Sequence, residues 1–339
     1  MTVKSLKKLD HLSHIGVLLI EPDPFISHLI KNVLQSLGFT RILKVANSQD
    51  VLDVLAESTI ELIISEWDIA PINGIELTKR IRHLDHPIHR RIPIIMTTGR
   101  AQFNDVSFAR DAGVTEFIVK PISAKAVLER IQMAIEKPRD FIIAATYVGP
   151  ERRRKKKGNT WVSHERRNKT GRAKDGVVVL EADYSLLESI GDSIALKRLF
   201  NADVIAKAEQ AIAELNDEFL PWAHEDFAEV EQRFNALIET ETQDSDDIAA
   251  LAKAALRIKS RAGTFGYGLA SSVADLMYKN ISERSSINGK WIKIFRAHIQ
   301  ALYVIFHQKV MDTGSDEGKE IIDVLTSLIE EEKKREAAA

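Results

Sequence analysis

Four polar side chains follow short apolar runs in the first third of the sequence, and their types suit an acidic pocket. They are Glu21, Glu66, Thr98 and Lys120. Carboxylates are the ligands that hard cations prefer, and a lysine close to a carboxylate can neutralise its charge. These residue types predict one charged site, provided that the preceding elements bring their ends together.

The elements that must position these side chains alternate between two patterns over residues 15–138. Apolar runs predict buried strands at residues 16–20, 41–46, 62–65, 93–98 and 116–120. Helical periods lie between the runs, and the first of them ends at Gly38. This alternation predicts an α/β domain with a doubly wound, five-stranded parallel sheet. The carboxyl ends of such strands share one edge, where these domains carry their sites.

Composition narrows the class of protein further. The chain has 339 residues, of which 45% are hydrophobic, and it contains no cysteine. Disulfides and thiolate sites are therefore excluded. No apolar run reaches the ~18 residues that a spanning helix needs. Residues 1–14 form an N-terminal tail without the apolar centre of a secretory signal, so we expect a cytoplasmic protein that does not enter a membrane.

A strongly basic segment interrupts the chain after the first domain. Residues 151–174 hold eleven Lys or Arg and two Glu, although the whole chain has a net charge of −2. The surrounding stretch, residues 139–190, contains Pro and Gly breaks and little periodicity, which predicts a partly flexible linker. Its charge suits an acidic protein surface, whereas the scarcity of aromatic residues disfavours nucleic acid. The basic residues are Arg152, Arg153, Arg154, Lys155, Lys156, Lys157, Arg166 and Arg167.

The remaining residues, 191–339, have helical periods almost throughout. Apolar residues recur at intervals of three and four, as at Phe227, Val230, Phe234 and Leu237. Further amphipathic stretches cover residues 269–281, 289–310 and 318–333. Helices that each bury one stripe pack as a bundle, so we predict an all-α C-terminal domain.

The first domain resembles the receiver domain of two-component response regulators, a flavodoxin-like fold. The resemblance rests on the segments "VLLIEPDPFISHLI", "ELIISEWDIAPINGIEL", "PIIMTTG" and "AGVTEFIVKPI". It implies that Thr98 and Lys120 contact a phosphoryl group and that Phe117 is the switch aromatic residue. It also implies a cis peptide bond between Lys120 and Pro121, which proline makes plausible.

The acid positions depart from the pattern of that family. Glu66 stands in place of the phosphorylated aspartate, and Glu21 and Pro22 stand in place of two metal-binding acids. Asp23 lies one residue beyond that pair and is expected to point elsewhere. Pro22 has no side-chain oxygen, so we expect weak magnesium binding at most. The longer Glu66 side chain is misplaced as a nucleophile.

The charge of Glu66 suggests two roles that the sequence leaves open. Its extra methylene should carry the carboxylate outward, where it can pair with Lys120 and accept from Thr98. There it would be an incomplete mimic of a phosphoryl group, which brings more charge and three acceptor oxygens. Alternatively, Glu66 only neutralises Lys120.

Residues 252–276 resemble the active helix of histidine phosphotransfer domains. The match rests on Lys259, Gly263, Phe265 and Gly266, and it places Leu256 where that family has its phosphorylated histidine. Leu256 lies about 120° from the centre of the apolar stripe on an ideal helix. We therefore expect it at the flank of the helix or exposed, as a docking contact, unless another helix covers it.

Together these features predict a non-catalytic adaptor or regulator of a bacterial phosphorelay. It would bind a histidine kinase, a phosphotransfer protein or a response regulator, or pair with a second copy of itself, and it would need no resident cofactor. Two alternatives stay open. One is a phosphorylatable regulator that uses another acid, such as Asp68, and the other is a regulator that binds nucleic acid through the basic linker.

Overall fold

A computed structural model describes residues 12–99, 103–152, 176–191, 196, 201–239, 245–308, 310 and 313–338. The chain forms two compact units. The first comprises residues 1–119 and 123–212, and the second comprises residues 213–339 with the short segment 120–122. Within the described residues, no helix combines the length and apolar character that crossing a membrane requires.

The first unit contains a five-stranded parallel sheet, which confirms the predicted fold class. Its strands are β1 (Gly16–Ile20), β2 (Arg41–Val45), β3 (Leu62–Glu66), β4 (Ile94–Thr98) and β5 (Glu116–Val119). Their order is β2-β1-β3-β4-β5. β1, β3 and β4 are buried along their whole length, as expected for strands that helices cover on both faces.

Helices connect these strands: α1 (Pro24–Leu37), α2 (Val51–Glu57), α3 (Gly74–Arg82), α4 (Phe103–Ala112) and α5 (Ala124–Glu136). Their ends follow local chemistry. Asp23 caps α1 by accepting hydrogen bonds from the next two amides after Pro24, and Gly38 ends the helix at φ 103°. Asn73 caps α3 and Ser123 caps α5 in the same way.

The predicted linker at residues 139–190 is in part a folded extension of the first unit. Strands β6 (Phe141–Ala144), β7 (Tyr147–Pro150) and β8 (Val178–Leu180) form an antiparallel sheet in the order β7-β6-β8, and helix α6 (Ser185–Ile190) follows. A further helix, α7 (Ala202–Ala213), also lies mainly in the first unit. The first unit therefore extends to Ile212, past the predicted domain boundaries at 138 and 191.

Arg82, at the end of α3, explains why this extension folds onto the sheet domain. Its side chain is fully buried and donates hydrogen bonds to the carbonyls of Gly113, Arg90 and Ile92, at 2.7 to 2.9 Å. The guanidinium also lies 5.7 Å from the ring centroid of Phe141. One side chain thus joins α3, the loop before β4 and the first strand of the extension.

The second unit consists of helices, as predicted: α8 (Asn216–Glu239), α9 (Ser245–Thr264), α10 (Gly268–Ser282), α11 (Gly289–Gln308) and α12 (Asp316–Ala338). α9 packs against both α8 and α10, and α11 packs against α8, α10 and α12. Aromatic side chains fill the centre; Phe219 stacks on Phe265 with centroids 5.0 Å apart.

Candidate functional site

Glu66 is the last residue of β3, and its side chain is 6% exposed. Its Oε1 accepts hydrogen bonds from the main-chain N–H groups of Trp67, at 2.8 Å, and Asp68, at 3.2 Å. The extra methylene lets the carboxylate fold back over the turn that follows the strand. Oε1 is therefore bonded to the main chain of the next two residues, and the expected contacts of Glu66 with Lys120 and Thr98 stay a prediction.

The hydroxyl group of Thr97 lies beside this carboxylate. Thr97 Oγ1 is 3.4 Å from Glu66 Oε2, a long hydrogen bond. The parallel register explains the contact, because Glu66 of β3 pairs with Thr97 of β4. Thr98, the predicted hydroxyl position, is the last residue of β4 and is fully buried.

The first acid position lies directly after β1. Glu21 is 3% exposed, and its Oε1 accepts from the N–H of Asp23 at 3.1 Å. The Asp23 carboxylate caps α1, with bonds of 3.0 and 3.2 Å to the amides of Phe25 and Ile26. Pro22 contributes no oxygen. Pro22 therefore stands where the family has a metal-binding acid, and the carboxylate of the next residue, Asp23, is hydrogen-bonded to the start of α1.

These residues fit a magnesium ion poorly. Glu21 and Glu66 are the two buried carboxylates at the strand ends, and each accepts main-chain hydrogen bonds through Oε1. A magnesium ion requires near-ideal octahedral geometry and anionic oxygen ligands that are free to point at it. In the described part of the chain, no three His, Asp or Glu side chains form a group that could hold a metal ion.

The two remaining receiver positions follow the sequence resemblance in part. Lys120 comes directly after β5 and is 6% exposed. The peptide bond between Lys120 and Pro121 is cis, as the resemblance implies. Phe117 of β5 is half-buried and meets Trp67 edge to face, with ring centroids 6.5 Å apart. Phe117 therefore packs against the residue that follows Glu66, and its role as a switch residue stays a prediction.

Sequence reasoning assigned no role to Gly74 or Trp67, which shape the turn after β3. A Cβ at Gly74 would lie 2.5 Å from the carbonyl oxygen of Glu66, so only glycine allows the start of α3 to approach so closely. The N–H of Gly74 donates to the Trp67 carbonyl at 2.8 Å. The Asn73-Gly74 pair, which is typical of turns and caps, was the signal that could have identified this contact.

The motif that resembles phosphotransfer domains lies at the hairpin between α9 and α10. Lys259 forms an ion pair with Asp275 of α10, at 2.8 Å. A Cβ at Gly263 would lie 2.8 Å from Ser271 Oγ, and Gly266 has φ 78°, so both glycines serve the close turn. Phe265 is buried against Phe219.

Two lysines stabilise the hairpin between α9 and α10 through the carboxylate of Asp275. Burial opposes ionisation of Asp275, but hydrogen bonds from Lys259 and Lys279 outweigh it and hold the pKa of this carboxyl below its usual value. The lysine of the motif is therefore part of an internal ion pair. This contact stabilises the packing of α9 against α10.

Leu256, in the phosphohistidine position, is only 7% exposed. The expectation of a flanking or exposed position is wrong, and the alternative of a covered side chain is correct. The apolar stripe describes one face of α9, but this helix is packed on two sides, by α8 and by α10. A buried leucine cannot be the docking contact that its position on the helix suggested.

The basic linker lies almost wholly outside the described residues. Arg153, Arg154, Lys155, Lys156, Lys157, Arg166 and Arg167 are not described. Arg152 is described: it lies over the ring of Tyr147, 4.1 Å from its centroid, and its Nε is 3.4 Å from Asp111. This member of the basic run therefore contributes to the extension of the first unit.

Comparison with known proteins identifies the first domain. The family model described as the response regulator receiver domain matches residues 17–132. Chemotaxis protein CheY of Pseudomonas aeruginosa is 26% identical over 121 residues, which are 36% of this chain and 96% of that protein. CheY1 of Helicobacter pylori is 28% identical over 120 residues, or 35% of this chain and 95% of that protein.

A solved structure covers the same region. The receiver domain of the sensor histidine kinase PA1611 from Pseudomonas aeruginosa, with a magnesium ion in its active-site cleft, is 28% identical. It covers 35% of this chain and 94% of its own, with a TM-score of 0.32. On the family match and the curated relatives, residues 17–132 of this chain form a response regulator receiver domain of the two-component signalling type.

Proposed function

We propose that this protein is a non-catalytic adaptor of a two-component phosphorelay, which acts by binding another pathway protein and does not carry phosphate. The observation that carries the proposal is the hydrogen bonding of Glu66. Its Oε1 is held by two main-chain amides within a buried turn. A nucleophile must be free to align with the incoming phosphoryl group, where errors of about one ångström are costly.

The neighbouring acids support the same proposal. A receiver that takes up phosphate needs a cation beside its acid, and Pro22 leaves Glu21 without a second carboxylate. Asp23 caps α1. The phosphotransfer-like hairpin also lacks a histidine at Leu256, which is buried. Both phosphoryl-carrying positions are therefore occupied by residues that favour a structural role.

An exposed apolar patch on the receiver offers a surface for protein binding. Phe108 and Val106 of α4 are 62% and 42% exposed, and Val119 of the edge strand β5 is 40% exposed. Large exposed apolar side chains can mark interaction sites. We assign partner binding to Phe108 and Val119, which are called the α4–β5 patch; Val106 lies two residues from Phe108 on α4 and therefore faces another side of the helix. The partner is a histidine kinase, a phosphotransfer protein or a response regulator.

The phosphorylation state is tested directly. The purified chain is incubated with acetyl phosphate and Mg²⁺, and its intact mass is measured. We expect no phosphoryl adduct on the natural chain. Glu66→Asp alone should remain largely unmodified because Pro22 still lacks an oxygen, whereas Glu66→Asp combined with Pro22→Asp should gain one phosphoryl group.

Two outcomes would contradict this expectation. An adduct on the natural chain that disappears in Asp68→Asn would establish the alternative of a phosphorylatable regulator. Full labelling of Glu66→Asp alone would show that Pro22 matters less than proposed. The double variant is the positive control, since it carries an acid in each position that the receiver resemblance requires.

The adaptor role is tested by titrating purified pathway proteins against the chain. Phe108→Asp should weaken binding of the true partner at least about tenfold, because it places a charge in an apolar contact. Leu43→Asp is the matched control: Leu43 is 41% exposed and lies on β2, the opposite edge of the sheet. Equal loss in both variants would exclude the α4–β5 patch as the contact.

A further inference from the structure

A cavity of about 240 Å³ lies in the first unit, at the end of the sheet where the strands begin. Glu66 lies at the other end, where the strands finish. Ile15, Ile60, Ile92 and Thr115 line it, and each of them immediately precedes a strand or lies within two residues of its start. In a parallel sheet the amino ends of all strands lie on one side, and the acid site lies at their carboxyl ends. The cavity is therefore separate from the receiver's acid site.

The folded extension covers this cavity. Phe141 of β6 and Leu186 of α6 line one side, and Ala134 and Ile135 at the end of α5 line another. Phe141, Ala134 and Ile135 are buried. Most of the lining is apolar, which suits a ligand whose body is apolar and whose orientation depends on a few polar groups.

The volume limits the size of that ligand. An apolar cavity of about 150 Å³ holds one benzene molecule. The cavity here, at about 240 Å³, has room for one aromatic ring and a substituent of a few atoms. A nucleotide or a long acyl chain would extend beyond it.

Charged side chains at the cavity indicate the substituent. Glu61 is committed, because its Oε2 accepts from the Gly16 amide at 2.6 Å. Arg139 donates to the carbonyls of Glu151 and Thr115, at 2.9 and 2.5 Å. Both side chains line the cavity, but these hydrogen bonds join them to main-chain groups of the protein.

Arg91 is different. Within the described residues its guanidinium donates one hydrogen bond, from Nη2 to the Glu181 carbonyl at 2.7 Å, and lies 3.8 Å from Asp183 Oδ2. A guanidinium has five N–H donors in a planar fork that matches a carboxylate. The side chain is 25% exposed, so an anion that it binds in the cavity is partly shielded from water.

We propose that this cavity binds a small aromatic carboxylate, with the ring among Ile60, Ile92 and Phe141 and the carboxylate on Arg91. Asp183 is the competing anion. Hydrogen bonds from Ser185 and the charge of Arg91 overcome the opposing effect of burial and hold its pKa below the usual value, so it is ionised at neutral pH. The charge of Asp183 therefore competes with the ligand carboxylate for Arg91. This site is independent of the proposed adaptor role.

The test is calorimetric titration of the full chain with benzoate and with benzamide, its neutral isostere. We expect benzoate to bind more tightly than benzamide. Arg91→Met should weaken benzoate about tenfold or more, since hydrogen bonds to charged groups are the strong ones, and should leave benzamide almost unchanged. Asp183→Asn should tighten benzoate, because it removes the competing charge.

Two further variants locate the site. Ala134→Phe places a ring in the cavity and should abolish binding of both ligands. Arg80→Met is the matched control, since Arg80 is an exposed arginine of α3 that pairs with Glu76, and it should leave both affinities unchanged. Far-UV circular dichroism checks that each variant is folded, and Asp183→Asn retains the test if Arg91→Met does not fold.

The proposal is overturned if benzoate gives no binding at millimolar concentration. It is also overturned if benzoate and benzamide bind equally, or if Ala134→Phe leaves benzoate binding intact. Failure here would not affect the adaptor proposal, which depends on residues at the other edge of the sheet.

Discussion

Glu66 differs from an ordinary surface acid in how its charge is satisfied. Two main-chain N–H groups donate to one oxygen, and a threonine hydroxyl lies 3.4 Å from the other. Hydrogen bonds to an ionised group are stronger than neutral ones. These hydrogen bonds therefore fix the orientation of the Glu66 side chain in the turn. A nucleophile would have to be free to align with an incoming phosphoryl group. A fixed charge of this kind suits a receiver that presents one unchanging surface to its partner.

His298 of α11 is the residue whose titration should be visible in stability. It is fully buried; its Nδ1 lies 2.8 Å from the Ile294 carbonyl, and its Nε2 has no hydrogen-bond partner within the described residues. Burial lowers the pKa of His298 to about 4, against the opposing hydrogen bond to Ile294. The unfolded chain takes up a proton near pH 6.5, whereas the folded chain does not. Stability that is complete above pH 6.5 is therefore lost as the pH falls towards 4, by about 3 kcal/mol.

This loss is measured by urea unfolding between pH 7 and pH 4. His298→Leu keeps an apolar side chain of similar volume and should remove this part of the pH dependence. His307→Leu is the control, because His307 is an exposed histidine on the same helix. If the natural chain and His298→Leu lose stability in parallel, the buried histidine is not the cause.

Among the secondary-structure elements, α3 connects several parts of the first unit because it ends in Arg82. Burial lowers the pKa of Arg82 to about 9, which leaves it charged at neutral pH. Its partners are mainly carbonyl groups from Gly113, Arg90 and Ile92. Gly113 has φ 95°, and a Cβ there would lie 2.9 Å from the Val148 carbonyl and 3.1 Å from Arg82 Cγ. The α3 helix, the α4–β5 turn and the extension thus meet at one arginine.

Replacing Arg82 should destabilise the first unit. Arg82→Met leaves several buried carbonyls without a donor, and each such group costs about 1–3 kcal/mol. We expect a decrease of about 3 kcal/mol or more in the free energy of unfolding, measured by urea unfolding followed by far-UV circular dichroism. Arg82→Lys should recover only part of it, because a lysine lacks the planar fork.

Arg80→Met is the control for this experiment as well. It lies on the exposed face of α3, with a side chain 54% exposed, and it should change stability by less than about 0.5 kcal/mol. A change as large as that of Arg82→Met would mean that the effect comes from α3 in general and not from the buried contacts.

The elements that the sequence predicts well are those whose signal is local. β1 is an apolar run, β3 and β4 each begin with three apolar residues, and α1 has an Asp cap and a terminal glycine. β6, β7 and β8 were not predicted because each has only three or four residues, and the partner of Phe141 in β8 is Leu180, far along the chain. Short strands of this kind acquire their stability from pairing, which local patterns do not reveal.

The same reasoning explains the outcome at the candidate sites. The sequence places Glu66, Thr98 and Lys120 at strand ends because the strands are evident. It does not show that Glu66 would fold back onto the Trp67 amide, because a side-chain rotamer depends on the donors around it. It also cannot place Leu256, since an apolar stripe identifies one buried face of α9 and not a second helix on its flank.

At the scale of the whole molecule, the first unit is longer than the receiver domain that the relatives match. The family match ends at residue 132, whereas the first unit continues to Ile212. The additional residues bury Phe141 and Val148 and bring Arg139 to the Thr115 carbonyl. Lys125 at the start of α5 also donates its N–H to Glu209 of α7, at 3.1 Å. These contacts join the extension to the sheet within the first unit.

Two shortened chains, one that ends at Ile212 and one that ends at Lys137, test whether the extension stabilises the first unit. Both lack residues 213–339, so the difference between their free energies of unfolding is due to the extension. The shorter chain loses the burial of Phe141, which by itself contributes about 1.5–3 kcal/mol, and it leaves Arg82 without the ring beside it. We expect it to unfold in urea with a free energy lower by several kcal/mol. A chain that ends at Glu151 keeps β6 and β7 and should fall between the two, because Arg82 and Gly113 retain their contacts. If the chain that ends at Lys137 is as stable as the one that ends at Ile212, residues 138–212 are a dispensable linker and the boundary predicted from the sequence is correct.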